Sequence, residues 1–263
     1  MLHLTKMEGL GNDYLYIYGT VEDPAALSQR LSDRHFGIGS DGIILVSPSD
    51  TADFRMRIFN ADGSEAKMCG NGIRCVGKYV YDKGYTKKTS LTIETMSGLR
   101  TLELRVEDGK AVAATVNMGV VTVSPAQEFS VCGQTVSAAP VSVGNPHAVI
   151  FVPDAEAAPL LTVGPALEHH DAFPGGVNVE FVQVVSPTRL RMRVWERGSG
   201  VTMACGTGAC ASVAAAVAAG YCPGDTQIAI ALDGGTLYIQ ILPDGTAVMT
   251  GPATTVCECE VEL

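Results

Sequence analysis

Two cysteines, Cys69 and Cys205, lie in near-copies of one segment of the chain. The first copy, at 54–72, reads FRMRIFNADGSEAKMCGNG, and the second, at 190–208, reads LRMRVWERGSGVTMACGTG. The two copies align at an offset of 136 positions without a gap, and each cysteine precedes a Gly-x-Gly turn. The duplication therefore predicts two thiols presented by equivalent elements of two similar halves.

Each of these turns predicts the start of a helix. The first backbone amides of a helix lack partners within it, and the helix dipole favours negative charge there. We therefore expect the two thiols to have lowered pKa values and the neighbouring amides to bind a carboxylate. Those amides belong to Gly70, Asn71 and Gly72 in the first copy and to Gly206, Thr207 and Gly208 in the second. A thiolate and a thiol on opposite faces of an amino-acid α-carbon could remove and return a proton, which inverts the stereocentre.

The elements that must position these cysteines are strands and buried helices. Apolar patterning predicts helices at 24–31, 72–83, 155–167 and 208–219. Strands are predicted at 14–18, 43–46, 54–59, 90–95, 99–106, 112–118, 148–152, 177–184, 190–195, 227–232, 236–242 and 246–250. The second and fourth helices are apolar on nearly all sides, which indicates burial within each half.

The predicted fold class is α/β, with two pseudo-symmetric halves that are each a mixed β-barrel wrapped around a central helix. We predict that the first half spans 1–117 and is completed by the C-terminal segment 255–263, and that the second half spans 118–254. The substrate site is expected between the halves.

Composition excludes several classes of protein. The chain has 263 residues, of which 46% are hydrophobic and 17% charged, so it can bury a substantial core. The net charge of −10 and the lack of a Lys/Arg cluster exclude a nucleic-acid partner. The apolar run at 211–220 is too short to cross a membrane. The first residues lack the apolar core of a signal peptide, so we expect a cytoplasmic protein whose eight cysteines are mostly reduced.

Three other interpretations of the cysteine segments remain open. Gly72–Lys78 matches the phosphate-loop pattern G-x-x-x-x-G-K, but Tyr79 follows it where a magnesium-binding Ser or Thr is typical. A zinc site could use Cys69 with Cys75, or Cys205 with Cys210, although no histidine follows at zinc-finger spacing. Finally, the two repeated cysteines could form a redox disulfide in a non-catalytic protein.

Motifs over nearly the whole chain resemble those of the diaminopimelate epimerase family. In order they read KMEGLGNDY, DRHFGIGSDG, FNADGSEAKMCGNGIRC, VGNPHAV, GVNVEFV and WERGSGVTMACGTGAC. The resemblance implies a pyridoxal-phosphate-independent isomerase that interconverts LL- and meso-diaminopimelate for lysine and peptidoglycan-precursor synthesis. It also implies a cytoplasmic homodimer that binds a small amino acid and needs neither cofactor nor metal.

The resemblance also implies roles for individual residues. Cys69 and Cys205 would be the acid–base pair. The residues that would bind substrate are Asn12, Asn60, Gly70, Asn71, Asn145, Asn178, Glu196, Arg197, Gly206 and Thr207. His147 and Glu196 would tune the thiols and bind the α-amino group. The guanidinium of Arg197 suits the distal carboxylate of diaminopimelate, since its planar fork can hold both oxygens.

Two positions depart from the family pattern. Glu8 stands where the family commonly has His, and Gly42 stands where some members have Gln. The same fold also includes racemases of other amino acids, such as histidine. The sequence therefore leaves open another racemase, or a non-catalytic amino-acid-binding protein of the same fold.

Overall fold

The computed structural model describes residues 1–262, and the chain divides into two compact units. Unit 1 comprises Met1–Val116 together with the segment from Gly251 onward, and unit 2 comprises Asn117–Thr250. Residue 263, the last of the predicted segment 255–263, lies outside the described residues.

Short strands dominate the described part of the chain, with four helices among them. The strands of its first half are β1 (Leu2–Gly9), β2 (Asn12–Tyr18), β3 (Gly42–Ser47), β4 (Phe54–Asn60), β5 (Glu65–Ala66), β6 (Ser90–Thr95), β7 (Gly98–Glu107) and β8 (Lys110–Val120). The later strands are β9 (Thr122–Val123), β10 (Gln127–Val131), β11 (Gln134–Ser142), β12 (Pro146–Phe151), β13 (Asn178–Ser186), β14 (Arg189–Glu196), β15 (Gly200–Val201), β16 (Ile228–Leu232), β17 (Gly235–Ile241), β18 (Thr246–Pro252) and β19 (Thr254–Val261). The helices are α1 (Pro24–Ser32), α2 (Gly70–Asp82), α3 (Leu160–Glu168) and α4 (Gly206–Ala218).

The two units repeat one strand order. Unit 1 pairs its strands in the order β1-β2-β3-β4-β6-β7-β8, and unit 2 in the order β11-β12-β13-β14-β16-β17-β18. In each order the second and fourth pairings are parallel and the others antiparallel. Parallel neighbours need a crossover connection, and each of the four helices lies in one such crossover. The duplication seen in the sequence is therefore a duplication of topology.

The helices α2 and α4 fill the interiors of their units. Helix α2 packs against β1 and β2 at one end of its sheet and against β7 near the other. Helix α4 likewise contacts strands from β11 to β17. A helix can touch both ends of a sheet only where the sheet curls around it, so each unit is a barrel with a central helix. Helix α2 begins at Gly70 and helix α4 at Gly206, each two residues earlier than predicted.

The outer helices α1 and α3 cover the opposite faces of the sheets. Leu31 of α1 packs against Leu15, Ile43 and Phe59 in unit 1. In unit 2, the core residues at α3 are Leu160, Val163 and Leu167, packed with Ala148, Ile150, Val179 and Phe181. The strands between the two helix layers, such as β3 in unit 1 and β12 in unit 2, are thus buried on both faces, which explains their near-continuous apolar sequences.

The predicted start of the third helix was wrong. Helix α3 begins at Leu160, whereas the apolar pattern predicted a start at 155. Pro159 occupies the N-cap, and a residue that precedes proline is disfavoured in the helical conformation. The chain before Pro159 therefore forms turns and bends.

Strand β19 completes the sheet of unit 1 by pairing antiparallel with β1, from Leu2 opposite Val261 to Glu8 opposite Thr254. The Glu258 carboxylate accepts hydrogen bonds from Thr5 Oγ1 and from Lys83 Nζ, each at 2.8 Å. These bonds tie the last strand to the first strand and to the end of α2.

No helix within residues 1–262 is both long enough and apolar enough to cross a membrane.

Candidate active site

Cys69 is the N-cap of α2. Its backbone is extended, with φ −137° and ψ 115°, and its Sγ accepts a hydrogen bond from the Gly72 amide at 3.3 Å. The thiol donates to Asn12 Oδ1 at 3.3 Å. Gly70 and Asn71, which were predicted to hold the reacting carboxylate, form the buried first turn of α2 beside it. Unit 1 therefore brings together four of the predicted site residues.

Cys205 occupies the same position at the start of α4. Its Sγ accepts from the Gly208 amide at 3.3 Å and lies 3.6 Å from Thr207 Oγ1. Gly206 is buried in the first turn, and Cys205 is itself 5% exposed. The two cysteines thus have the same cap geometry, but Cys205 is more deeply buried.

The expected lowering of the thiol pKa is wrong for Cys205. Burial, followed by the charges of Glu196 and Glu180, raises the pKa of Cys205 well above its usual value. The Thr207 hydroxyl and the Gly208 amide lower it, but by less. The helix start favours the thiolate as expected, yet two carboxylates from β14 and β13 oppose it. Cys205 is therefore a protonated thiol near neutral pH.

Asn12 is held by the hairpin that joins β1 and β2. Glu8, one of the two departures from the family pattern, accepts a hydrogen bond from the Gly11 amide at 2.9 Å and so closes the turn. Asn12 Nδ2 donates to Asp41 Oδ2 at 2.7 Å, which turns the Asn12 carbonyl oxygen towards Cys69. Asp41 was missed from the sequence, although it lies within the SDG motif.

Asn60 ends β4 and is half-buried. Its Nδ2 donates to Ser64 Oγ at 3.1 Å, and its Oδ1 accepts from Tyr14. In the sheet it faces Gly42, the second departure from the family pattern. A Cβ added to Gly42 would lie 2.1 Å from the carbonyl oxygen of Phe59. A side chain at 42 therefore requires the backbone of β3 and β4 to move apart.

A partly buried hydrogen-bond network in unit 2 contains His147, Asn145 and Thr207. His147 Nδ1 lies 2.6 Å from Glu180 Oε1, and both side chains are fully buried. His147 Nε2 lies 3.1 Å from Asn145 Oδ1, while Asn145 Nδ2 donates to Thr207 Oγ1 at 3.2 Å. Glu180 was missed from the sequence. Its signal is a single charge inside the apolar run VNVEFV.

Asn178 fixes the turn that carries Glu196 and Arg197. Its Nδ2 donates to the carbonyl of Pro146 at 2.9 Å, and its Oδ1 accepts from the Arg197 amide at 3.0 Å. Both ends of this amide are therefore bonded to backbone. The exposed Arg197 guanidinium donates to the Gly175 carbonyl at 3.2 Å.

Glu196 lies beside Cys205 and accepts a hydrogen bond from Thr202. Burial raises the pKa of Glu196, and the negative charge of Glu180 adds to the effect, although Thr202, Cys205 and His147 lower it. Unit 2 therefore places its predicted residues in one connected cluster.

Two surface cavities of unit 2 adjoin this cluster. One, of about 440 Å³, is lined by Asn145 and His147 among others. The other, of about 450 Å³, is lined by Arg197, Gly176 and Glu168 among others. Asn145 and Arg197 thus border open space on the surface of unit 2.

Glu168, also missed from the sequence, supports the turn of Arg197. Its side chain is 7% exposed, and it accepts from Trp195 Nε1 at 2.6 Å and from the Gly198 amide at 2.8 Å. Burial raises the pKa of Glu168, but these two donors, together with the charges of His169 and Arg197, lower it by more, so the pKa lies below its usual value. The carboxylate therefore stabilises the folded state.

Replacing Glu168 with glutamine is expected to lower the free energy of unfolding at pH 7 by about 1–3 kcal/mol, as for loss of a hydrogen bond to a charged group. Since the folded pKa is depressed, this contribution is present above the unfolded pKa and is lost as pH falls through the folded value. Urea unfolding of both proteins from pH 7 downward checks this. Glu128→Gln, at an exposed site, is the control; a difference independent of pH would contradict the expectation.

The structure argues against the phosphate-loop and zinc interpretations. Gly72–Lys78 lies inside the buried helix α2, and Lys78 pairs with Asp82 at 2.7 Å. Cys75 and Cys210 are buried within their helices. In the described part of the chain, no group of three or more His, Cys, Asp or Glu side chains could hold a metal ion. All eight cysteines are free thiols.

The sequence matches known proteins over its whole length. The family model described as diaminopimelate epimerase matches residues 4–124 and 140–256. The chain is 48% identical to the diaminopimelate epimerase of Acetivibrio thermocellus, over 100% of this chain and 99% of that one. It is 49% identical to that of Desulfovibrio desulfuricans, over 97% and 96% of the two chains. The chain belongs to the diaminopimelate epimerase family.

Solved structures show that this member of the diaminopimelate epimerase family shares its fold with distant proteins. A PhzF-family phenazine biosynthesis protein from Bacillus anthracis superposes with a TM-score of 0.78 at 17% identity, covering 100% of this chain and 99% of the other. A probable proline racemase from Agrobacterium radiobacter gives a TM-score of 0.77 at 18% identity, covering 100% and 93%. The predicted fold class is thereby confirmed.

Proposed function

We propose that this protein interconverts LL- and meso-diaminopimelate by moving the α-proton between two thiols, without pyridoxal phosphate or another cofactor. The observation that carries the proposal is the pair of cysteine N-caps, Cys69 and Cys205, each at the start of a buried helix in one of two topologically identical units. The similarity to diaminopimelate epimerases over the whole chain supports the substrate.

In the proposed reaction, one unit supplies the base and the other the acid. Cys205, which is protonated at rest, donates a proton to the α-carbon while the Cys69 thiolate removes one from the opposite face. In the reverse direction the roles exchange. The amides of Gly70, Asn71, Gly206 and Thr207 would bind the carboxylate and stabilise the negative charge that moves onto it, by roughly 3–4 kcal/mol for each well-placed donor.

The polar side chains would fix the rest of the substrate. Arg197 would bind the distal carboxylate, and Glu196 the α-amino group. The four asparagines would orient the zwitterion with their amides, which can both donate and accept: Asn12, Asn60, Asn145 and Asn178. His147 would act on the Cys205 thiol through Asn145 and Thr207.

Membership of the family also supports three proposals about the location, assembly and metabolic role of the protein. The protein would act in the cytoplasm, as a homodimer, in the synthesis of lysine and of a peptidoglycan precursor. Gel filtration of the purified protein, with light scattering, tests the dimer.

Isotope exchange tests the proposed function. Reduced protein in D₂O should incorporate deuterium at the α-carbon of diaminopimelate and bring the LL and meso forms to equilibrium. Histidine and proline serve as comparison substrates. Exchange into one of these instead would indicate a different racemase, and binding of diaminopimelate without exchange would indicate a binding protein. Either result contradicts the proposal.

A further inference from the structure

Glu180 is a fully buried carboxylate for which the proposed reaction has no role. Its Oε1 lies 2.6 Å from His147 Nδ1. The same oxygen would lie 2.7 Å from a Cβ added to Gly208, so the carboxylate sits against the first turn of α4. The positive end of the helix dipole favours a negative charge there. The carboxylate therefore lies between the His147 ring and the first turn of α4.

Both ring nitrogens of His147 face oxygen atoms. Nδ1 faces the Glu180 carboxylate, and Nε2 faces Asn145 Oδ1 at 3.1 Å. Where Glu180 is a carboxylate, each of these nitrogens must carry a hydrogen to make its bond, because a carboxylate oxygen and an amide oxygen can only accept. A doubly protonated His147 beside an ionised Glu180 forms a buried pair with no net charge, which is the form in which buried charges are tolerated.

The bonds beyond His147 then run in one direction. Asn145 accepts from His147 through Oδ1 and donates to Thr207 Oγ1 through Nδ2 at 3.2 Å. Because the Thr207 oxygen is accepting that bond, its own hydrogen can point to Cys205 Sγ, which lies 3.6 Å away. The series ends with a donor aimed at the sulfur that must become a thiolate in one direction of the reaction.

We propose that Glu180 is a positioning residue that holds His147 doubly protonated and so polarises a hydrogen-bond series that ends at the Cys205 sulfur. The inference rests on the proposed function for its catalytic meaning, since it explains how a thiol buried among carboxylates can still become a base. A charged donor strengthens each following bond. The other carboxylate facing Cys205 is Glu196, which is outside this series.

Replacing Glu180 with glutamine should change the alkylation rate of Cys205 in opposite directions for the two protonation states of His147. If His147 carries two protons, the substitution leaves the ring neutral. The Glu180–His147 pair then keeps its zero net charge, but the hydrogen bond from Nε2 to Asn145 weakens or is made in the opposite direction. Alkylation of Cys205 by iodoacetamide at pH 8 should then be about tenfold slower, the difference between a hydrogen-bond series with a charged donor and one with a neutral donor. If His147 is neutral already, the variant only removes a negative charge near Cys205, and alkylation should be faster.

The alkylation rate is followed at the Cys205 peptide by mass spectrometry, and the His147 protonation state by ¹⁵N NMR of histidine-labelled protein. Glu156→Gln, which neutralises an exposed carboxylate of the same unit, should leave both readouts unchanged. Thr207→Val should slow alkylation as Glu180→Gln does, and the double variant should be no slower than either, which a merely structural role for Glu180 would not predict. Thr207→Ser, which keeps the hydroxyl, should alkylate at the wild-type rate.

Faster or unchanged alkylation in Glu180→Gln overturns the proposal. Should that variant fail to fold, wild-type His147 decides the matter, because a singly protonated ring at pH 8 also overturns it. None of these readouts uses diaminopimelate, so failure of this proposal is separate from failure of the proposed function. In an active enzyme, Glu180→Gln should lower kcat about tenfold with little change in KM, since the bond that weakens is made to the reacting thiol.

Discussion

Replacing Cys69 or Cys205 with serine is expected to lower the rate of diaminopimelate epimerisation by about 10²- to 10⁴-fold, the usual contribution of a general acid or base. A serine hydroxyl can occupy the N-cap and accept from the Gly72 or Gly208 amide as the sulfur does. The fold should therefore survive, and the loss should lie in proton transfer. The measurement is the rate of conversion of LL- to meso-diaminopimelate.

Each variant should retain slow deuterium exchange from one epimer, because the remaining thiol reaches one face of the α-carbon. The two variants should exchange opposite epimers, which NMR of the recovered substrate can determine. Cys132→Ser and Cys257→Ser, which change exposed thiols in unit 2 and unit 1, are the controls and should keep full activity. Exchange of the same epimer by both variants would contradict the assignment of one thiol to each face.

Replacing Gly208 with alanine is expected to lower kcat by about 100-fold, the scale of loss that follows a displacement of roughly 1 Å at a reacting group. The added Cβ would lie 2.7 Å from Glu180 Oε1 and 3.1 Å from Cys205 Sγ. Neither atom can yield without cost, since Glu180 is bonded to His147 and the sulfur is fixed at the helix cap. Steady-state kinetics, with thermal unfolding of the same samples, measures both effects.

Gly72→Ala is the matched variant at the repeated position of unit 1. There the added Cβ would meet Ile44 Cδ1 at 2.7 Å and Met56 Cε at 3.1 Å. Both atoms are the ends of flexible side chains that can turn aside, so the loss of kcat should be much smaller and the main effect should be on stability. Equal losses of kcat in the two variants would show that crowding of the helix start, and not the Glu180 contact, limits substitution.

Local signals were enough to predict the parts of the fold that carry the cysteines. The Gly-x-Gly turn followed by an all-round apolar segment predicted α2 and α4 within two residues of their starts, because both the turn and the burial pattern lie within the segment itself. All twelve predicted strands are present. The strands that were not predicted include β1, β10, β11 and β19, whose exposed and polar positions weaken the alternation.

What the sequence could not predict depends on contacts between distant segments. The lowered pKa expected for Cys205 followed from its helix alone, whereas burial raises its pKa most, and the carboxylates that add to the rise stand on β13 and β14. Glu180 lies 25 positions before Cys205, and only the folded sheet brings it under α4. Asp41, likewise, reaches Asn12 from the start of β3, across 29 positions. The residues that hold the functional side chains in position were therefore harder to predict from the sequence than the functional residues themselves.

The pairing of β1 with β19 sets the order in which the chain can fold during its synthesis. Domains generally fold as units, with the earlier one first as the chain emerges from the ribosome. Here β19 is made only after Asn117–Thr250 is complete, so β1 must wait for its partner while the whole of unit 2 is synthesised. Unit 1 therefore cannot complete its sheet before the whole of unit 2 has been synthesised, although the residues of unit 1 begin the chain.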